Sequence, residues 1–143
     1  MSRISSYRTT IAIPRTQQAN IKGSPCFDIL QKAVEKVAQD RGGRLTYSYL
    51  DSDGREHECL IGVKTRDFPR GIGINIAADG KIVFSYDAYD KVEVAKAICD
   101  EITQNYVVIA VMRAQQRYGF RLKEPQVLQK PGGIKHVKVV GVM

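Results

Sequence analysis

The sequence lacks an apolar run long enough to cross a bilayer. Its longest apolar stretch, Tyr106 to Met112, is far short of the roughly 20 residues a spanning helix needs. The start, Met1-Ser2-Arg3-Ile4-Ser5-Ser6, has no apolar segment followed by a small-residue cleavage site, so no secretory signal is expected. Cysteine is scarce as well. Cys26, Cys59 and Cys99 form an odd set with no C-x-x-C pair, which fits thiols in a reducing compartment better than a disulfide framework. The expected location is the cytoplasm, with no membrane partner.

What is present is the composition of a folded domain. The 143 residues are 43% hydrophobic and 26% charged, far from the signature of disorder. That length supports one compact domain over residues 1–143 without metal or disulfide staples.

Period-2 patterning over Ser5 to Ile13, with Tyr7, Thr9, Ile11 and Ile13 on one parity, predicts a half-buried strand ended by Pro14. A polar loop from Arg15 to Pro25 leads to a helix with Phe27, Leu30, Val34 and Val37 on one stripe. Gly42-Gly43 stops it. Alternation then returns. Leu45, Tyr47 and Tyr49, the turn Asp51-Ser52-Asp53-Gly54 and the segment to Lys64 predict a hairpin. Ile72, Ile74 and Ile76, then Asp79-Gly80, then Ile82, Phe84 and Tyr86 predict a second. From about Asp90, Val94, Ile98, Ile102 and Tyr106 recur every four residues, giving one long or bent helix that stops at Gly119. Phe120 to Leu128 and Ile134 to Val142 are expected to be strands joined by Lys130-Pro131-Gly132-Gly133.

The resulting order, β-α-β-β then β-β-α-β-β, predicts an α+β fold: one antiparallel sheet of about 6–8 strands with two helices on one face. The pattern also admits two β-α-β-β-like halves, about 1–66 and 70–143. No residue-level repeat supports them.

Two stretches resemble a known family. They are Ser2-Arg3-Ile4-Ser5 through Thr9-Thr10-Ile11, and Gln104-Asn105-Tyr106 through Ala114-Gln115-Gln116-Arg117-Tyr118-Gly119-Phe120 with the Gly-containing hairpin that follows. In these the chain is similar to the small domain-of-unknown-function proteins of cyanobacterial genomes, algal plastids (the hypothetical chloroplast reading frames) and scattered bacteria. The similarity spans most of the chain in layout, with Asp51 to Tyr86 departing in detail. It implies a soluble protein with no established catalytic residues, sometimes encoded near an AAA-type ATPase, which would make such an ATPase a candidate partner. It assigns no site residue.

Few residues suggest chemistry. His57 and Cys59, two apart on one strand, have Asp53, Glu56 and Glu58 nearby, but the second half of a metal site is missing; a half-exposed charged turn accounts for them better, and a surface or edge histidine accounts for His136. Cys99 lies on an apolar helix stripe and reads as core. Cys26, at a helix N-terminus after Ser24-Pro25, is the candidate reactive thiol. Gly71-Ile72-Gly73 has no helix after it and is not a phosphate loop. No catalytic set, metal site or cofactor motif emerges.

Charge is more informative. The chain carries 22 Lys and Arg against 15 Asp and Glu, a net +7. Residues 1–50 and 101–143 are each +5, whereas 51–100 are −3. Arg113, Arg117, Arg121, Lys123, Lys135 and Lys138, with Tyr118 interleaved, are the candidate residues for binding a nucleic acid or a partner. A basic surface that meets the acidic middle of a neighbouring subunit explains the same counts. The expected function is that of a non-catalytic accessory protein binding a larger protein or itself; the alternative is binding of single-stranded RNA or DNA through the basic C-terminal region.

Overall fold

The computed structural model of the chain describes residues 4–117, 121–122, 126–129, 135–138 and 141–142. Its centre is one antiparallel sheet of five strands in the order β1-β5-β4-β3-β2. The strands are β1 (Ser5–Ala12), β2 (Arg44–Leu50), β3 (Glu56–Lys64), β4 (Ile72–Ile76) and β5 (Lys81–Tyr86). The two expected hairpins pair as the alternation requires, β2 with β3 and β4 with β5. Asp79-Gly80 makes the second turn, closed by Ala77 N–H donating to the Lys81 carbonyl at 2.9 Å.

Three helices accompany the sheet: α1 (Arg15–Gln18), α2 (Pro25–Asp40) and α3 (Val92–Arg117). α2 starts where the sequence says it should, with Pro25 in its first turn and the Ser24 hydroxyl accepting from Phe27 N–H at 3.2 Å, the usual satisfaction of an orphan N-terminal donor. It ends at Gly42, whose φ of 63° is the left-handed conformation that favours glycine, and Gly43 N–H closes back on the Ala38 carbonyl at 2.7 Å. α2 and α3 run antiparallel. Arg113 meets Asp28 near the start of α2, the Asn105 amide donates to the Ala33 carbonyl, and Arg41 just past the end of α2 meets Glu101.

One continuous core joins the helices to one face of the sheet. It contains Leu30, Val34 and Val37 of α2, Ile98 and Ile102 of α3, and Ile61, Val63, Ile72, Ile74, Ile82 and Phe84 of the strands, all almost fully buried. The stripes expected from periodicity are the buried ones, because a 3.6-residue helix and a pleated strand each have a single face to hide.

Two expectations need correcting. The sheet has five strands, not six to eight; the C-terminal strands form separate two-stranded pairings, β6 (Arg121–Leu122) with β9 (Gly141–Val142) and β7 (Gln126–Gln129) with β8 (Lys135–Lys138). A third helix, α1, followed by a 3-10 turn over Ile21–Gly23, occupies the stretch expected to be loop. α1 is a single turn with no buried residue, so it leaves no hydrophobic period to read. The expected helix stop at Gly119 and the Lys130–Gly133 connection lie outside the described residues. No described helix is long and apolar enough to cross a membrane.

The opposite, outer face of the sheet is covered at one end by an arm. Between Thr46 and Ser48 the β2–β3 register slips, so that three residues of β3, Cys59 to Ile61, stand against Tyr47 alone. Such bulges bend a strand pair. Beyond the bulge the hairpin folds onto β4 and β5: Leu50 N–H donates to the Arg70 carbonyl at 2.8 Å, Ser52 N–H donates to Asp87 at 2.7 Å, and the Tyr49 ring lies against Gly73.

A basic concavity beside a latched arm

The open end of the β2–β3 hairpin gathers positive charge. Arg44 and Lys64 are direct cross-strand partners, an arrangement that costs stability through like-charge repulsion. Arg66 follows two residues on, and its guanidinium lies over Gly42, with its atoms 3.5–3.6 Å from where a Cβ would stand. With Gly42, Gly43, Thr65 and Pro69 these three side chains line a concavity of about 370 Å³. Arg66 and Gly42 also border a second hollow of about 600 Å³ that includes Asp40, Arg41 and Asp67.

The cations around these hollows differ in one respect. Arg41 is neutralised: its Nε donates to Glu101 at 2.8 Å, and its terminal nitrogens bond Glu101 and Asp67. Burial works against that charge, but the Glu101 hydrogen bond and the two carboxylate charges outweigh it and raise the guanidinium pKa. Asp67 is buried enough to disfavour its charge, yet the Thr65 hydroxyl, donating at 2.6 Å, and Arg41 hold its pKa down. Arg44, Lys64 and Arg66 make no side-chain hydrogen bond or ion pair with any described residue.

Three backbone donors around the concavity are engaged internally. Gly43 N–H donates to Ala38, Thr65 N–H to Phe68 and Arg66 N–H to Arg41 carbonyls. The site therefore offers three side-chain charges, with the amides of Gly43, Thr65 and Arg66 turned to internal carbonyls.

The arm carries the second set of polar groups. Asp51, with 3% of its surface exposed, accepts from the N–H groups of Asp53 and Arg55, both at 2.9 Å, and is 2.9 Å from His57 Nε2. The His57 hydrogen bond, reinforced by the two backbone donors, lowers the Asp51 pKa, so the carboxylate is ionised at neutral pH and Nε2 is the donor. His57 stacks on Tyr49 with centroids 5.2 Å apart. Ser85 hydrogen-bonds the Tyr49 hydroxyl, while burial raises the Tyr49 pKa. Cys59, whose Cβ also lies against Gly73, has its pKa pushed up by burial, which works against thiolate chemistry. Among the described residues no three of His, Cys, Asp and Glu are grouped to hold a metal ion.

The sequence-derived candidates are dispersed. Arg113 donates to Asp28 at 2.7 Å and, with Lys32, lowers that carboxyl's pKa; it joins α3 to α2. Arg117 is the last residue of α3. Arg121 stands opposite Val142 in β6–β9. Lys135 and Lys138 stand opposite Gln129 and Gln126, at positions of opposite parity on β8. Tyr118 and Lys123 lie outside the described residues. Cys26 is half-buried, its N–H held by Gln17 at 3.0 Å and its thiol hydrogen-bonded with the Tyr106 hydroxyl. Sequence reading missed Arg44, Lys64 and Arg66. The available signal was hairpin symmetry, since pairing strands on either side of Asp51–Gly54 brings the flanking cations together.

Comparison with protein families, with curated proteins and with solved structures found no match to this chain.

Proposed function

We propose that the protein is a non-catalytic accessory protein that acts by protein–protein association, with the basic concavity as its docking face for carboxylates. One observation carries the reading: Arg44, Lys64 and Arg66 converge on one hollow, and none of them forms an ion pair with a described residue. A fold that sets like charges opposite each other is relieved when an anionic group enters. A carboxylate can be held by side-chain donors of this kind through charge-assisted hydrogen bonds. Accessory binding also agrees with what the resemblance to the small cyanobacterial and plastid family implies.

The test is fluorescence anisotropy with labelled polyglutamate. Binding should weaken as salt rises and should be lost when Arg44, Lys64 and Arg66 are together changed to Glu. Binding that survives that triple change defeats the reading. Single-stranded nucleic acid through Arg121, Lys135 and Lys138 is the competing proposal. It requires oligouridine to bind with a log–log salt slope of about −0.7 per phosphate contacted and to be released when those three residues are neutralised.

A further inference from the structure

The outer face of the sheet displays both signs of charge. Thr46, Gly62 and Gly73 stand in one row across β2, β3 and β4, and the core residues Ile61, Val63, Ile72 and Ile74 have the other parity and point to the helices. Arg44 and Lys64 share the parity of Thr46 and Gly62, so they belong to the outer face. The arm folded over that same face turns Tyr49 inward onto Gly73, with His57 stacked beside it. Glu56 and Glu58 alternate with His57 on β3 and are exposed. Neither makes an ion pair with a described residue. One side of the molecule thus carries uncompensated cations at the open end of β3 and uncompensated carboxylates at its arm end.

A surface that is basic at one end and acidic at the other is complementary to itself when a second copy is turned onto it by a two-fold axis lying in the interface, perpendicular to the line from the basic to the acidic end. Each basic end then meets the other copy's acidic end, and the contact is made twice. Apolar burial contributes little to such an interface, so it is governed by electrostatic complementarity and is sensitive to salt. Arg44 and Lys64 supply one pole, and Glu56 and Glu58 the other.

We infer that the carboxylates entering the Arg44–Lys64–Arg66 concavity are Glu56 and Glu58 of a second copy of this chain, in a closed two-fold dimer. The inference rests on the concavity being a carboxylate-docking face and adds the identity of the occupant.

Analytical ultracentrifugation of the full chain at low and high salt tests it, alongside the polyglutamate titration. The expected result is a dimer at low salt that dissociates as salt rises. Changing Arg44 and Lys64 to Glu should weaken dimerisation by at least about tenfold, equivalent to about 1.4 kcal/mol, and changing Glu56 and Glu58 to Lys should do the same. Combining all four changes re-forms two complementary poles and should restore the dimer, which also shows that the reversed chains fold. A monomer at every salt concentration, or a dimer indifferent to both reversals, overturns the inference. If the chain is monomeric while polyglutamate still binds through Arg44, Lys64 and Arg66, the dimer alone is refuted; if polyglutamate binding is also absent, the docking face falls with it.

Discussion

The Tyr49 ring rests directly on Gly73: a Cβ built on that glycine would lie 2.5 and 2.6 Å from two ring carbons. Glycine in the middle of a strand ordinarily weakens it, and close approach of another group is the common reason it is tolerated. Here the approaching group is the arm. Gly73→Ala should lift Tyr49 and destabilise the protein by about 1–3 kcal/mol, the usual range for overpacking. In a Tyr49→Ala background the same change should cost less, since the two ring carbons are gone and only the Cys59 Cβ, 2.9 Å from the added carbon, still crowds it. Urea denaturation of the four chains in that double-mutant cycle reads the coupling; additive effects would mean that the ring does not seat there.

Acid should weaken the arm's attachment. Hydrogen bonding from His57, Asp53 and Arg55 lowers the Asp51 pKa in the folded protein, so the unfolded chain, with an ordinary carboxyl near about 3.9, takes up its proton first. The contribution of Asp51 to stability is therefore complete above that unfolded value and is lost as pH falls through the lower folded one. Asp28 and Asp67, also lowered, act in the same direction. Asp51→Asn should reduce stability at neutral pH and flatten the acid limb, so that the variant and parent curves converge below about pH 4. Urea midpoints measured across that range provide the check, and parallel curves would contradict the latch.

How much of this was legible beforehand depended on whether a feature was local. Val34, Ile98, Ile74 and Phe84 are core residues that periodicity alone identifies, because each element hides a single face. The Asp79-Gly80 turn and the Ser24-Pro25 helix start are dictated by neighbours in sequence. The fold of the arm onto Gly73 is not, since it depends on a bulge between Thr46 and Ser48 and on contacts with Asp87, 35 residues from its partner Ser52. Arg113 shows the converse failure. A cation on a helix face reads as free in sequence, yet a carboxylate 85 residues away engages it. Arg44 and Lys64 were hidden for the same reason, being 20 residues apart until the hairpin closes.

The three thiols should react in a definite order. Cys99 is fully buried, and burial raises its pKa; Cys59 is half-buried and is also raised by burial. Both shifts remove thiolate at neutral pH. Titration of the folded protein with a disulfide reagent should modify Cys26 first, Cys59 slowly and Cys99 only on unfolding, with Cys26→Ser abolishing the first phase. Early modification of Cys99 would show that α3 does not pack as described.

Tyr7 offers a test of how α3 is docked on the edge strand β1. Its hydroxyl donates to Asp100 at 2.8 Å, a link across 93 residues, and that hydrogen bond, together with burial and the carboxylate's charge, pushes its pKa up to about 12 from 10.0. The unfolded chain ionises this tyrosine near about 10, so its contribution to stability is intact below that pH and is lost as pH rises from 10 toward 12. Asp100→Asn removes the charge that opposes ionisation and should return the Tyr7 transition toward an ordinary phenol, while Tyr7→Phe should remove one phenol from the late-titrating group that it shares with Tyr49, Tyr86 and Tyr106, whose pKa values burial raises. Alkaline titration followed by phenolate absorbance, read as the difference between each variant and the parent, distinguishes the three cases. If the Asp100→Asn curve superimposes on the parent curve, β1 and α3 are not joined through this pair.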